Sequence, residues 1–205
     1  MRIPRASLCL PLLLLCAAAV AAQEPQPSQR PLPPPSPTPE EFQTRLETLM
    51  TEVGSVIIKG FTNVGSMNGS RGVAYFTAWE VTDARTGRRE QGVGVEISDT
   101  VTPNRRDLLE ERAYIDYDEL DPLIRGIDYM MKLDDKVTKL ARYEAQYQTR
   151  GGLVLVSFNT PSGYVTAIST YGGRRPRFVL RPTGLAEFRN LLESAKDALD
   201  APRTQ

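Results

Sequence analysis

Apolar positions along this chain follow two periods that alternate in a fixed order. Phe42, Leu46 and Leu49 recur at helical spacing. They follow Pro39-Glu40-Glu41, whose carboxylates suit the positive end of a helix dipole. A short helix is predicted from there to about Glu52. The period then drops to two. Residues 56–64 are apolar and β-branched, and Asn68-Gly69 marks a hairpin whose two central residues both accept positive φ. Over residues 73–82, Val73, Tyr75, Thr77, Trp79 and Val81 face one way and Ala74, Phe76 and Ala78 the other. A turn at 83–87 leads to a strand over 90–98 with Val93, Val95 and Ile97 on one face. A polar loop over 99–110 precedes a short strand over 112–117. Asp118 then caps a helix with Leu120, Leu123, Ile124, Ile127 and Met131 at helical spacing, and Pro122 is expected in its first turn.

The second half repeats this plan. Strands are predicted over 139–148, 153–159, 164–171 and 177–181, separated by Arg150-Gly151-Gly152, Pro161-Ser162-Gly163 and Gly172-Gly173. Thr183 caps a last helix carrying Leu185, Phe188, Leu191, Leu192, Ala195 and Leu199. An offset of 65 residues sets Ile115 on Leu180, Asp118 on Thr183, Leu120 on Leu185, Leu123 on Phe188 and Ile127 on Leu192. Gly92–Ser98 also resembles Gly163–Ser169. The predicted fold is α+β, an internal duplication of a four-stranded antiparallel sheet plus C-terminal helix (ββββα twice), preceded by a short N-terminal helix. One amphipathic helix covers only part of one sheet face, so the two units are expected to bury each other's remainder. This order of elements is similar to that of the Whirly and PC4-like folds that bind single-stranded nucleic acid. The likeness lies in strand and helix order alone, shares no motif and implies no function.

The N-terminus narrows the setting. Arg2 and Arg5, an apolar run from Leu8 to Ala22 and small residues before a polar stretch form the pattern of a secretory signal peptide over 1–22. The run is short for a membrane anchor. Lipidation at Cys16 is an alternative, against which the bulky Leu15 argues. Cleavage after Ala22 would remove Cys9 and Cys16, and the chain has no histidine. Eight of the 15 residues from Pro25 to Pro39 are proline, which excludes helix and ladder and predicts an extended, disordered linker over 23–40. The globular part is expected over 41–200 as two pseudo-repeats (about 55–134 and 137–199), with a disordered tail at 201–205. It is long enough to bury a core without disulfides.

Charge adds an asymmetry. Residues 23–136 carry 13 basic and 20 acidic side chains, and residues 137–205 carry 10 and 5. Either the opposite fields orient an ionic partner, or the two halves simply attract one another. The acidic cluster Asp116, Asp118, Glu119 and Asp121 lacks the glycine and distal glutamate of an EF-hand. It is accounted for as a cap and a dipole-complementing first turn. No metal site is predicted.

The candidate anion site is Arg174, Arg175 and Arg177, beside Gly172-Gly173, with Arg181 nearby. Guanidinium groups beside exposed backbone amides suit phosphate, sulfate or a sugar acid, and the surface aromatics Tyr164 and Tyr171 add stacking. The plainer account is a solvated hairpin tip. Trp79, Tyr75, Tyr143 and Tyr147 at strand spacing suggest either a carbohydrate-stacking face or packing beneath a helix. Without histidine or cysteine the mature chain has no Ser-His-Asp triad, thiol nucleophile or ordinary zinc site, and no GxGxxG or P-loop occurs. No catalytic residue and no cofactor are predicted. The expected function is an exported, non-catalytic binding or interaction domain of a bacterial periplasm or envelope, whose ligand the sequence does not identify and for which an anion is the candidate. The alternatives are an assembly-accessory envelope protein and a carboxylate-pair polysaccharide hydrolase. The expected partners are an envelope protein or an anionic ligand, with neither nucleic acid nor a transmembrane segment in the mature chain.

Overall fold

The computed structural model describes residues 43–70, 72–99, 110–170, 178–181 and 183–202. Among the described residues three helices and eight strands follow in the order α1 (Arg45–Met50), β1 (Ile57–Asn68), β2 (Gly72–Asp83), β3 (Arg89–Asp99), β4 (Glu110–Asp116), α2 (Tyr117–Met130), β5 (Glu144–Gln148), β6 (Leu153–Thr160), β7 (Gly163–Thr170), β8 (Phe178–Val179) and α3 (Gly184–Asp200). The strands form two four-stranded antiparallel sheets, β1-β2-β3-β4 and β5-β6-β7-β8, and the fold class is α+β. The leader, the whole proline-rich segment and the terminal 203–205 lie outside the described residues. Among the described residues no helix is long and apolar enough to cross a membrane.

The alternation read from the sequence sets the faces. Ala74, Phe76 and Ala78 of β2 pair with Ile97, Val95 and Val93 of β3, and all six are buried on one face. Leu153, Leu155 and Ile168 of the second sheet join them, with Leu120, Leu123 and Ile127 of α2 and Leu185, Phe188, Leu192 and Ala195 of α3, in one continuous core. The helices do not each cover their own sheet. The chain ends on α3, after the second sheet, yet α3 packs on β1, β2 and β3 of the first, where the small Ala74 and Ala78 let it approach closely. α2 touches β3, β4, β5 and α3. On the opposite face of the first sheet, α1 buries Leu46 and Leu49 against Val81, beside Trp79 and Tyr114.

Several local expectations are corrected. α1 is capped at Thr44, whose hydroxyl accepts from the Glu47 amide while the Glu47 carboxylate accepts from the Thr44 amide. The predicted opening at Pro39 lies outside the described residues. The cap of α2 is Asp116, with Glu119 completing its capping box. The helix therefore begins at Tyr117 and Pro122 sits beyond its first turn, where the missing amide costs one helical hydrogen bond. The hairpin at Asn68-Gly69 forms, but neither residue has positive φ. Gly69 is needed for a tertiary reason: a Cβ there would lie 2.5 Å from the Phe178 ring. The next residue, Ser70, donates its amide to the Val179 carbonyl at 2.9 Å, so the tip rests on β8. Residues 139–143 are not strand. The Asn159 side chain ends the ladder by accepting from the Tyr143 amide and donating to the Ala141 carbonyl. Thr183 stands at the α3 cap position but makes no side-chain cap bond.

Candidate functional site

Two polar constellations lie at opposite ends of α2. The first gathers at its N-terminus. Asp116 is buried, and its carboxylate accepts from the Arg45 and Leu46 amides, both at 3.0 Å, so the capping residue of α2 also holds the first turn of α1. Arg45 and Arg150 approach from either side. Arg45 lies 2.6 Å from Asp118, while Arg150 reaches Asp116 at 3.1 Å and Asp118 at 2.9 Å. The Arg150 amide donates to Glu119 at 2.8 Å. Gly151 presses its backbone against β4, where any Cβ would collide with the Tyr114 carbonyl oxygen. The acidic cluster singled out in the sequence is thus a latch joining α1, α2 and the β5–β6 turn. The Asp118 carboxylate beside Arg150, with Glu119 and Asp116, holds that guanidinium above its ordinary pKa. Other bonds join the two halves in the same sense, Arg189 to Asp128 and Thr170 to Glu111. At Arg150 and Arg189 the opposite charges of the halves attract each other, while Thr170 contributes a neutral hydroxyl.

The second constellation is a cavity of about 300 Å³ at the C-terminal end of α2. Met130, Met131 and Leu133 form one wall, Leu185 and Ala186 of the first turn of α3 another, and Ser157, Thr166, Tyr164 and Arg181 supply its polar groups. Register builds it. Ser157 and Thr166 are direct partners across β6 and β7, and their hydroxyls meet at 2.7 Å. The Leu180 amide donates to the Thr166 carbonyl at 2.8 Å, which fixes the residue after it, Arg181, beside β7. The Gly184 amide then donates to the Arg181 carbonyl at 2.8 Å and turns the chain into α3. Tyr164 is 46% exposed and donates its hydroxyl to Asp135 at 3.0 Å. The Tyr143 hydroxyl, burial and the Asp135 carboxylate raise its phenol above the ordinary tyrosine range, so it stays protonated at neutral pH.

Arg181 differs from most described arginines. Arg45, Arg85, Arg88, Arg89, Arg112, Arg150 and Arg189 each pair with a carboxylate. Arg125, Arg142 and Arg181 form no such pair among the described residues, and of these Arg181 lines the cavity.

Of the site residues predicted from the sequence, Tyr164 and Arg181 come together here. Tyr171, Arg174, Arg175 and Arg177 lie outside the described residues. The four aromatics at strand spacing do not share one face. Tyr75 and Trp79 stand on the face of the first sheet opposite the main core, where Trp79 meets Phe61 at 4.9 Å, whereas Tyr147 packs against the main core and Tyr143 lies beside Tyr164. Sequence reasoning missed Ser157, Thr166 and the methionine wall. A signal for two of them was present: Ser157 is in phase with Leu153 and Leu155, and Thr166 with Ile168, so each places a hydroxyl where the period calls for a core side chain.

No protein-family model matches the chain, and neither a curated protein nor a solved structure does.

Proposed function

We propose that this chain is an exported, non-catalytic binding domain of a bacterial periplasm or envelope, and that the cavity beside Arg181 holds an anionic ligand. The carrying observation is the Arg181 guanidinium, without a carboxylate partner among the described residues, lining a concave site with the Tyr164 hydroxyl and the Ser157–Thr166 pair. A guanidinium left without an internal carboxylate is a ready partner for an external one. Export rests on the leader pattern of residues 1–22. An origin by duplication of a ββββα unit is part of the same proposal. It is supported by the element order and by the like segments Gly92–Ser98 and Gly163–Ser169, which fall on the third strand of each sheet.

The test is a thermal-shift panel of inorganic, sugar-borne and organic anions. Stabilisation by at least one class, lost in Arg181→Glu, supports the reading. A panel that leaves the melting temperature unchanged, or a shift indifferent to Arg181→Glu, overturns it. Recovery of the protein from the envelope fraction with Gln23 as its first residue would support export; recovery with Met1 retained would count against cleavage.

A second reading, an assembly-accessory envelope protein, draws on the apolar side chains exposed along and before β1: Val53, Val56, Ile58 and Phe61. Loss of a stoichiometric envelope partner in Phe61→Glu would favour it.

A further inference from the structure

We infer that the ligand of the Arg181 cavity is a small amphipathic monoanion, a single carboxylate on an unbranched apolar body; this rests on the anion-binding reading above. The polar inventory of the lining is short. Arg181 is its one charged side chain among the described residues. Ser157 and Thr166 bond to each other at 2.7 Å, which leaves one free hydroxyl proton between them. Tyr164 spends its proton on Asp135 and offers lone pairs only. A sugar or a nucleotide would bring more hydroxyls and ring nitrogens than these groups can satisfy, and every unmatched polar group desolvated in the site weakens binding.

Charge points the same way. Arg181 is the one charged side chain of the described lining, and Asp135 stands one hydrogen bond beyond Tyr164. A ligand with one negative charge is matched by Arg181; a second charge would meet no further cation in the described lining and would lie near Asp135. The remaining lining is apolar: Met130, Met131, Leu133, Leu185 and Ala186. Methionine side chains are unbranched and rotate to fit an irregular chain. The volume of about 300 Å³ lies at the small end of small-molecule sites, the class to which an eight-carbon acid belongs.

The experiment is calorimetric titration of the full chain with octanoate, 1-octanol, octyl phosphate, acetate and sulfate, with sedimentation on phosphatidylglycerol vesicles in parallel. Octanoate is expected to saturate one site, with each of the other four soluble probes at least tenfold weaker. Arg181→Met should weaken octanoate at least tenfold and Arg142→Met should leave it unchanged. Ala186→Trp, which fills the cavity, should abolish binding without moving the melting temperature. Acetate or sulfate binding as tightly as octanoate, and lost in Arg181→Met, would keep the anion-binding reading and overturn the amphipathic one. Octanol matching octanoate would overturn the role of charge. Octanoate binding unaffected by Arg181→Met, or absent altogether with no other anion bound, would overturn both readings. Vesicle binding that depends on Arg181, with no saturable octanoate, would replace the free acid by a lipid headgroup and overturn the proposal.

Discussion

The two ends of α2 present the same side chain in opposite states. At the N-terminus, Arg45 and Arg150 are committed to Asp116, Asp118 and Glu119, and their donors serve the fold. At the C-terminus, Arg181 lines a cavity with no carboxylate partner among the described residues. Arginine abundance and local basic clustering do not separate these cases. What separates them is whether folding brings a carboxylate to the guanidinium. A saturated arginine is part of the architecture; an unsaturated one beside apolar walls is free to recognise something else.

That contrast can be broken from the latch side first. Gly151→Ala places a Cβ against a backbone carbonyl that cannot yield, and Asp116→Ala strips two α1 amides and Arg150 of a buried acceptor. Each is expected to cost about 3 kcal/mol by urea unfolding. The folded fraction of either variant should bind anions as before. Parallel loss of affinity would show that the two ends are not independent. Thr44→Ala removes the cap of α1 alone and should cost about 1 kcal/mol in the same assay.

An acid-sensitive contribution comes from neither end. Asp83 is buried in the β2–β3 turn, where the Ser55 and Thr86 hydroxyls and the Arg85 amide hold its carboxyl well below the ordinary carboxylate range. Its folded pKa is depressed, so its stabilisation is complete above the unfolded value near pH 4 and is lost as pH falls below it. The melting temperature should drop between pH 6 and pH 3, and Asp83→Asn should flatten that slope. The smallest effect on stability is expected at the cavity. Arg181→Met should leave unfolding within about 0.5 kcal/mol of the native chain, since the side chain is exposed and has no ion pair among the described residues, while removing the anion dependence. A large destabilisation would make Arg181 a structural residue like Arg150.

Much of the fold was legible because period-2 alternation is a local signal. Strands β2, β3, β6 and β7 fall within a residue or two of their expected bounds, and Val93, Val95 and Ile97, expected on one face of β3, are all buried. Helix starts were less legible. Asp116 and Asp118 are both capping types, and Asp116 prevails because its carboxylate also serves α1, some 70 residues earlier in the chain. Residues 139–143 have a strand-like composition, yet the Asn159 side chain bonds their backbone outside the ladder. At the candidate site, Tyr164 and Arg181 could be picked out as types. Their convergence with Met130 and Ser157 depends on how α2 and α3 meet the second sheet, which no window of sequence records.

By itself, the sequence determined the alternating faces, the order of strands and helices, the leader pattern, and the chemistry closed to a chain without histidine. Each of these depends on residue type and short-range spacing. Only the tertiary structure decided which described arginines are spent on carboxylates and that Arg181, of those that are not, lines a cavity. Arg150 finds Asp116 across 34 residues and Arg45 finds it across 71. Arg181, held between β7 and α3, finds no carboxylate among the described residues. Pairing of charges is a property of distances in space, and those distances are set when α1 and the β5–β6 turn converge on the N-terminus of α2.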